Sequence, residues 1–289
     1  MKKIISLILC AVLVVGVFAL AGCSDDTQTK EPETPATKVI NINLTEEDYA
    51  FGVDKNQPEL LAKVNTFIAQ IMKDGTFDTI CDRYFGDGEP VAVESAPLDT
   101  SKDQLVVATN AAFAPFEYME GDKYYGIDME IAKLLADYLG MELVINNMKF
   151  EAVCLSVGQH QCDIAMAGLT VNEERKEHVT FSDSYYQASQ QVIVKGDDTT
   201  FDACKTADDV NAILNGYTKD KVVGVQNGTT GMYYVQGDAD WGFDGLPTDC
   251  KTYEAGSLAV QDMINGNIDM VIIDAAPAAS IVEAINAVA

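Results

Sequence analysis

From Gln104 to Asp274, short apolar runs alternate with amphipathic ones, and this alternation restricts the possible folds more than any other feature of the chain. "QLVVAT", "ELVIN", "CDIAMAG", "KVVGVQ", "CKTYEA" and "IDMVIID" have strand length and are apolar almost throughout. Between the first two, "DMEIAKLLADYLG" sets Met129, Ile131, Leu134, Leu135, Tyr138 and Leu139 on one helical face, with Asp128 as cap and Gly140 as stop. "EAVCLSVG", "TTGMYYV" and "SLAVQDMING" supply further helices. Strands apolar on both sides must be covered on both faces, which is the α/β class with parallel-rich sheets. Two such units are present, Gln104 to about Ser184 and about Lys221 to Asp274. The β-rich stretch "YYQASQQVIVKGDD" between them can cross from one to the other.

The N-terminus is of another kind. "MKKIISLILCAVLVVGVFALAGC" has two lysines, an apolar run from Ile4 to Leu20 and small residues up to Cys23, the layout of a secretory leader. Leu20-Ala21-Gly22-Cys23 resembles a bacterial lipobox, which implies a diacylglyceryl thioether on Cys23 as the mature N-terminus; an uncleaved anchor helix is the alternative. Either places the body outside the cytoplasm, at a membrane. Ser24 to Thr37 is polar and proline-bearing, a spacer.

Charge and cysteines exclude two classes of function. The chain has 19 basic and 45 acidic residues, net −26, and loss of the leader removes Lys2 and Lys3 as well. Such a surface repels phosphates, so nucleic acid is excluded as a partner. Cys81, Cys154, Cys162, Cys204 and Cys250 remain in the body without CxxC spacing, beside only two histidines, so no metal site is expected. Cys204 with Cys250, then Cys154 with Cys162, are the candidate disulfides, against free buried thiols as the alternative.

In open α/β sheets ligands bind beyond the carboxyl ends of the strands. Asn110, Phe113 and Phe116 follow the first strand and Phe150 the second. Gly168, Thr170 and Arg175 follow the third; Gln226, Thr229 and Thr230 follow "KVVGV", and Asp274 ends the last. One cation, one anion, aromatics and hydroxyls suit a zwitterion. Arg175 with Thr229 and Thr230 can meet an α-carboxylate, and Asp274, Thr170 and the Gly168 carbonyl an α-ammonium. Phe113 and Phe150 can flank the ligand's side chain.

"VVATNAAFAPFEY", "YYGIDMEIAKLLADYLG", "AGLTVNEERKEHVTFSDSYY", "VVGVQNGTTG" and "GNIDMVIIDAAPA" together resemble the amino-acid solute-binding proteins of ABC importers, polar and glutamine-type branch. The resemblance implies a two-lobed periplasmic-binding-protein-like fold of type II, without cofactor, closing on an amino acid and serving an ABC permease as a monomer. It places Arg175 and Thr170 on the ligand carboxylate, Asp274 on the ammonium, and Phe113 and Phe150 as a clamp. Related proteins for basic or glutamine-like ligands often carry an acid where this chain has Asn110, and Gln226 is also neutral, so a neutral amino acid, small polar or sulfur-containing, is expected. A dehydratase-like enzyme on the same scaffold and a ligand sensor without transport are the alternatives.

The order of segments departs from that family. Its usual C-terminal section resembles Lys38 to Gly86 here, which contains the stripe Leu60, Leu61, Val64, Phe67, Ile68 and Ile71, while the chain ends soon after "DAAPA". A circular permutation follows, with a relic of tandem duplication as the alternative. The expected division is signal peptide 1–22, lipidated cysteine and spacer 23–37, and a lobe 2 strand 38–48. A hinge strand and closing helices of lobe 1 fill 49–86, a permutation linker that reads as a tether 87–103, lobe 1 104–192 and lobe 2 193–289. "QQVIVKG" and "DYAFGV" are the expected crossing strands, and both new ends are expected on lobe 2.

Overall fold

The computed structural model describes residues 35–288. The leader, Cys23 and the spacer up to residue 34 lie outside the described residues, as does Ala289. Two five-stranded mixed sheets organise the rest. In the first lobe, Gln104–Thr109 runs parallel to both its neighbours, edge strand Glu142–Asn147 and central strand Ile164–Ala165. Gly52–Asp54 and Val179–Phe181 extend this sheet antiparallel. In the second lobe Val222–Gln226 runs parallel to Asp249–Tyr253 and Met270–Asp274. Gln190–Lys195 and then Thr37–Ile40 complete it antiparallel. Because the parallel strands leave through helices, their carboxyl ends gather on one side, at the junction of the lobes.

The early segment is part of both lobes. Thr37–Ile40 is the edge strand of the second sheet, and Asn286 brackets it, donating from Nδ2 to the Thr37 carbonyl at 2.8 Å and accepting the Thr37 N–H at 3.1 Å. Helix Pro58–Asp74 buries Leu60, Val64, Phe67, Ile68 and Ile71, with Leu61 half-buried beside them. These share one apolar core with Leu105, Val107, Ile131 and Leu135 of the first lobe. Gly75, at φ +81°, ends this helix in the left-handed conformation that glycine adopts without cost, and Thr76–Phe85 follows at once.

Four expectations are corrected here. The stretch 87–103 is not a free tether. Val93 is buried and exchanges backbone hydrogen bonds with Tyr124 at 2.8 and 3.0 Å. The Ala96 N–H donates to the Leu143 carbonyl at 2.8 Å, and Ser95 Oγ accepts the Ile145 N–H at 2.8 Å. Polar, proline-bearing composition concealed these fixed points because they use backbone atoms, one valine and one serine hydroxyl.

The second crossing strand is Tyr186–Ala188, antiparallel to Glu47–Tyr49, and not "QQVIVKG". Gln190–Lys195 lies inside the second sheet between two strands, which its uninterrupted burial from Gln190 to Val194 requires. The second lobe thus begins nearer residue 190 than 193.

Asp128, expected as a helix cap, is the second residue of helix Ile127–Leu139, in its first turn, and the cap position is Gly126. It is fully buried and serves the site described below. All five body cysteines are free, so neither candidate disulfide forms. Cys154 is buried among apolar side chains, which pushes its thiol up to about 11. Among the described residues no helix is long and apolar enough to cross a membrane.

Candidate functional site

The strand ends of the two lobes meet around a continuous polar network. Arg175 stands in the short helix Glu173–Lys176, capped by Asn172, whose Oδ1 accepts the Arg175 N–H at 2.7 Å. Its guanidinium is buried and turned inward: one nitrogen donates to the Thr170 carbonyl at 2.7 Å, another across the lobes to the Gly228 carbonyl at 3.2 Å. Thr170 Oγ1 donates to Glu47 Oε2 at 2.6 Å and meets the Thr230 hydroxyl at 3.2 Å, also across the lobes. Glu47 Oε1 accepts from Gln190 Nε2 at 3.0 Å and from the Thr45 hydroxyl at 2.6 Å. Gln190 pairs in register with Asp274, whose Oδ1 accepts the Tyr49 hydroxyl at 2.5 Å.

Arg175 and Asp274 are therefore both enclosed and joined through Thr170, Glu47 and Gln190. They line separate recesses. Asp274 borders a cavity of about 430 Å³ that also includes Tyr49, Phe116 and Tyr186, whereas Arg175 lies with Phe150 and Tyr233 on one of about 90 Å³.

Burial and the negative charge of Glu47 raise Asp274 from its ordinary 3.8 to about 7, against the hydrogen bonds from Tyr49 and Gln190. Asp128 also rises to about 7, by burial, although Gly168 N–H and the Tyr185 hydroxyl bond to it. Burial drives Glu117 well above the carboxylate range, reinforced by Asp128 and Asp274. Both Glu117 oxygens lack a hydrogen-bond partner among the described residues, so its neutral form is the one that fits.

The remaining expected residues fall around this network. Gly168, at φ +53°, sits in a turn held by Asp128 Oδ2, which accepts its N–H at 2.9 Å. A Cβ there would lie 3.0 Å from the Phe113 ring and 3.2 Å from Tyr49, so glycine is required for both conformation and space. Asn110 donates from Nδ2 to the Met148 carbonyl at 2.7 Å and accepts Gln226 Nε2 at 3.0 Å, an amide pair that bridges the lobes. Thr229 turns its hydroxyl back to the Gln226 carbonyl at 2.8 Å, so it buttresses the loop and leaves Thr230 to face Thr170.

The two phenylalanines do not act as a matched pair. Phe113 stacks on Phe116 with centroids 6.2 Å apart, while Phe150 lies 5.2 Å from the Arg175 guanidinium.

Sequence reasoning missed Glu47, Tyr49, Gln190, Glu117 and Trp241 as neighbours of the site. For the first two a signal existed. In a strand, side chains alternate, so Glu47 and Tyr49 share a face and Asp48 takes the other, as their burial shows.

Comparison with known proteins then decides the family. The family profile described as bacterial extracellular solute-binding proteins, family 3, matches residues 9–87 and 105–268. The chain belongs to this family. The arginine-binding extracellular protein of Bacillus subtilis is 38% identical over 99 residues, 34% of this chain and 39% of that protein. The L-cystine-binding protein of Escherichia coli is 29% identical over 184 residues, 63% of each. The chain thus spans less than two thirds of these relatives. A solved ancestral amino-acid-binding protein, described as a precursor of cyclohexadienyl dehydratase, superposes with TM-score 0.53 at 30% identity, over 63% of this chain and 74% of that one. These three proteins are named for binding amino acids. With the mixed sheets seen here, the solved relative places this member in the two-lobed type II periplasmic-binding fold.

Proposed function

We propose that this family 3 member captures a free amino acid between its lobes and presents it to the permease of an ABC importer. One observation supports this most: a buried cation on the first lobe and a buried carboxylate on the second, linked by one hydrogen-bonded track. Arg175 and Thr170 take the α-carboxylate, and Asp274 with Glu47 takes the α-ammonium, the ligand replacing bonds that these groups make to one another. Thr230, Gly168 and Phe113 close around it. Enclosure lowers the local dielectric and strengthens each charged contact, so the bound state favours closure. Closure turns on the paired strands Glu47–Tyr49 and Tyr186–Ala188.

The ligand is a neutral amino acid, polar or sulfur-containing. Its side chain reaches the uncharged amides of Asn110 and Gln226, and the cystine-binding relative is consistent with such a ligand. Arg175 and Asp274 offer one group of each sign, which suits the two charges of a zwitterion. The protein acts as a monomer outside the cytoplasm, anchored through lipid on Cys23.

Its segment order is a circular permutation. The two stretches that match the family stop at 87 and resume at 105, on either side of the linker, and the early stretch supplies strands to both sheets. With Thr37 and Asn286 side by side on the second lobe, the anchor would then hold that lobe.

A thermal-shift screen of the twenty amino acids and cystine, followed by calorimetry, tests the reading. Stabilisation by a neutral amino acid is expected. Tight binding of arginine, lysine or glutamate alone overturns the specificity, and no stabilisation by any overturns the function.

A further inference from the structure

Trp241 is the chain's one tryptophan and lies in the loop between helix Thr230–Gln236 and strand Asp249–Tyr253, on the second lobe. Its ring nevertheless lies 5.3 Å from the guanidinium carbon of Arg175, on the first lobe. Phe150, from the first lobe, stands 5.2 Å from the same carbon. The cation thus has one aromatic neighbour from each side of the cleft. Its edge donors go to the Thr170 and Gly228 carbonyls, again one from each lobe.

The loop is built to hold the indole there. Trp241 stacks on Tyr233 with centroids 4.8 Å apart and planes at 20°, and its backbone N–H donates to Asp238 Oδ1 at 3.2 Å. Asp238 and Phe243 exchange two backbone hydrogen bonds of 2.9 Å, closing the loop, and Gly242 takes φ +73° at its turn. Tyr233 itself reaches the first lobe, where burial and a hydrogen bond to Glu174 push its phenol up to about 12. The indole Nε1–H is buried without an acceptor among the described residues, a cost that a ring placed only to fill space would avoid by turning outward.

We propose that Trp241 is a positioning residue for Arg175: its ring reaches the guanidinium only when the lobes meet, so that orientation of the carboxylate anchor and lobe closure are a single event. The inference rests on Arg175 being that anchor. It also makes the tryptophan a built-in reporter of closure.

The experiment uses selectively excited Trp241 fluorescence with acrylamide as quencher, in the full chain and in Arg175→Ala, and binding of L-cystine, L-glutamine, L-serine and L-arginine to wild type, Trp241→Ala and Trp241→Phe. The amino acid that raises the melting temperature should shield Trp241, and Trp241→Ala should weaken its binding about five- to tenfold, with Trp241→Phe restoring most of the loss. Quenching unchanged by that amino acid, or wild-type affinity in Trp241→Ala, overturns the inference while leaving amino-acid binding intact. If none of the twenty amino acids nor cystine binds, the amino-acid reading fails separately. The indole contact is then decided by Arg175→Ala: increased quenching upholds it, and quenching equal to wild type overturns it.

Discussion

The Tyr49 hydroxyl donates to Asp274 Oδ1 at 2.5 Å, a bond between the strand that crosses between the lobes and the last strand of the second sheet. It ties the residue read as the ammonium partner to the element on which closure is proposed to turn. A change in the charge of Asp274 therefore alters a hydrogen bond to strand Glu47–Tyr49.

Asp274 should make ligand binding depend on pH. An ammonium group requires the ionised carboxylate, and Asp274 ionises only near 7. Affinity should rise about tenfold per pH unit toward 7 and level off above it, with a proton released on binding below that point. Calorimetry at pH 6 in two buffers of different ionisation enthalpy measures the release, which Glu47→Gln should reduce by removing the charge that raises Asp274. Equal heats in both buffers would contradict the assignment.

The same group gives stability a definite slope. Its folded value lies above 3.8, so between about pH 4 and 7 the folded protein holds a proton that the unfolded chain has released. This contribution is complete below pH 4 and is lost as pH rises through 7. Wild type should lose stability relative to Asp274→Asn across that window, by at most about 1.4 kcal/mol per pH unit. Asp128 adds a like slope in both proteins and cancels in the difference. Denaturant melts at pH 4.5, 6 and 8 make the comparison.

The contribution of the early segment can be tested at one side chain. Phe67 is buried against first-lobe residues more than thirty positions away, in the same core as Leu105 and Leu135. Phe67→Ala should cost about 3–5 kcal/mol, and deletion of Lys38 to Gly86 should abolish the cooperative melt. A relic resting on an independent domain would show neither.

How far the sequence could be read depended on the kind of interaction. The alternation of strands and helices was visible because burial leaves a periodic trace, and the helical stripe from Leu60 to Ile71 lies as its spacing predicts. Arg175 and Asp274 were visible as charges at strand ends. Glu47 left only a weak sign, its alternation with Tyr49, because a glutamate in "NLTEEDYAF" looks like surface charge until the partner strand fixes which face is buried. Trp241 was hidden for another reason: a loop carries no period, and only tertiary structure brings it onto Arg175. The pinned linker belongs with these, since backbone hydrogen bonds such as Val93 to Tyr124 leave little mark on composition.

Arg175 should matter more than its neighbours. Arg175→Ala would leave a ligand carboxylate buried without its partner, weakening binding by about 2–5 kcal/mol in calorimetry. Gly168→Ala should also weaken it, by about 1–3 kcal/mol, because the left-handed turn is strained and the Phe113 ring must move. Wild-type affinity in both would move the site elsewhere.

The side-chain end of the cleft offers the sharpest test of specificity. Asn110 and Gln226 form an uncharged pair across the lobes, and Gln226 Oε1 is buried without a donor among the described residues. Asn110→Asp keeps the size and the acceptor for Gln226 Nε2 but loses the donor to the Met148 carbonyl and adds a negative charge beside it. The folded protein should lose about 1–3 kcal/mol of stability from that repulsion. In return, arginine or lysine binding should strengthen about tenfold or more relative to neutral amino acids, because a cationic side chain then meets a desolvated carboxylate. Competition calorimetry of wild type and variant with L-arginine and L-glutamine reads the change directly. A preference identical in the two proteins would mean that the ligand's side chain points away from Asn110, and the argument for a neutral ligand would go with it.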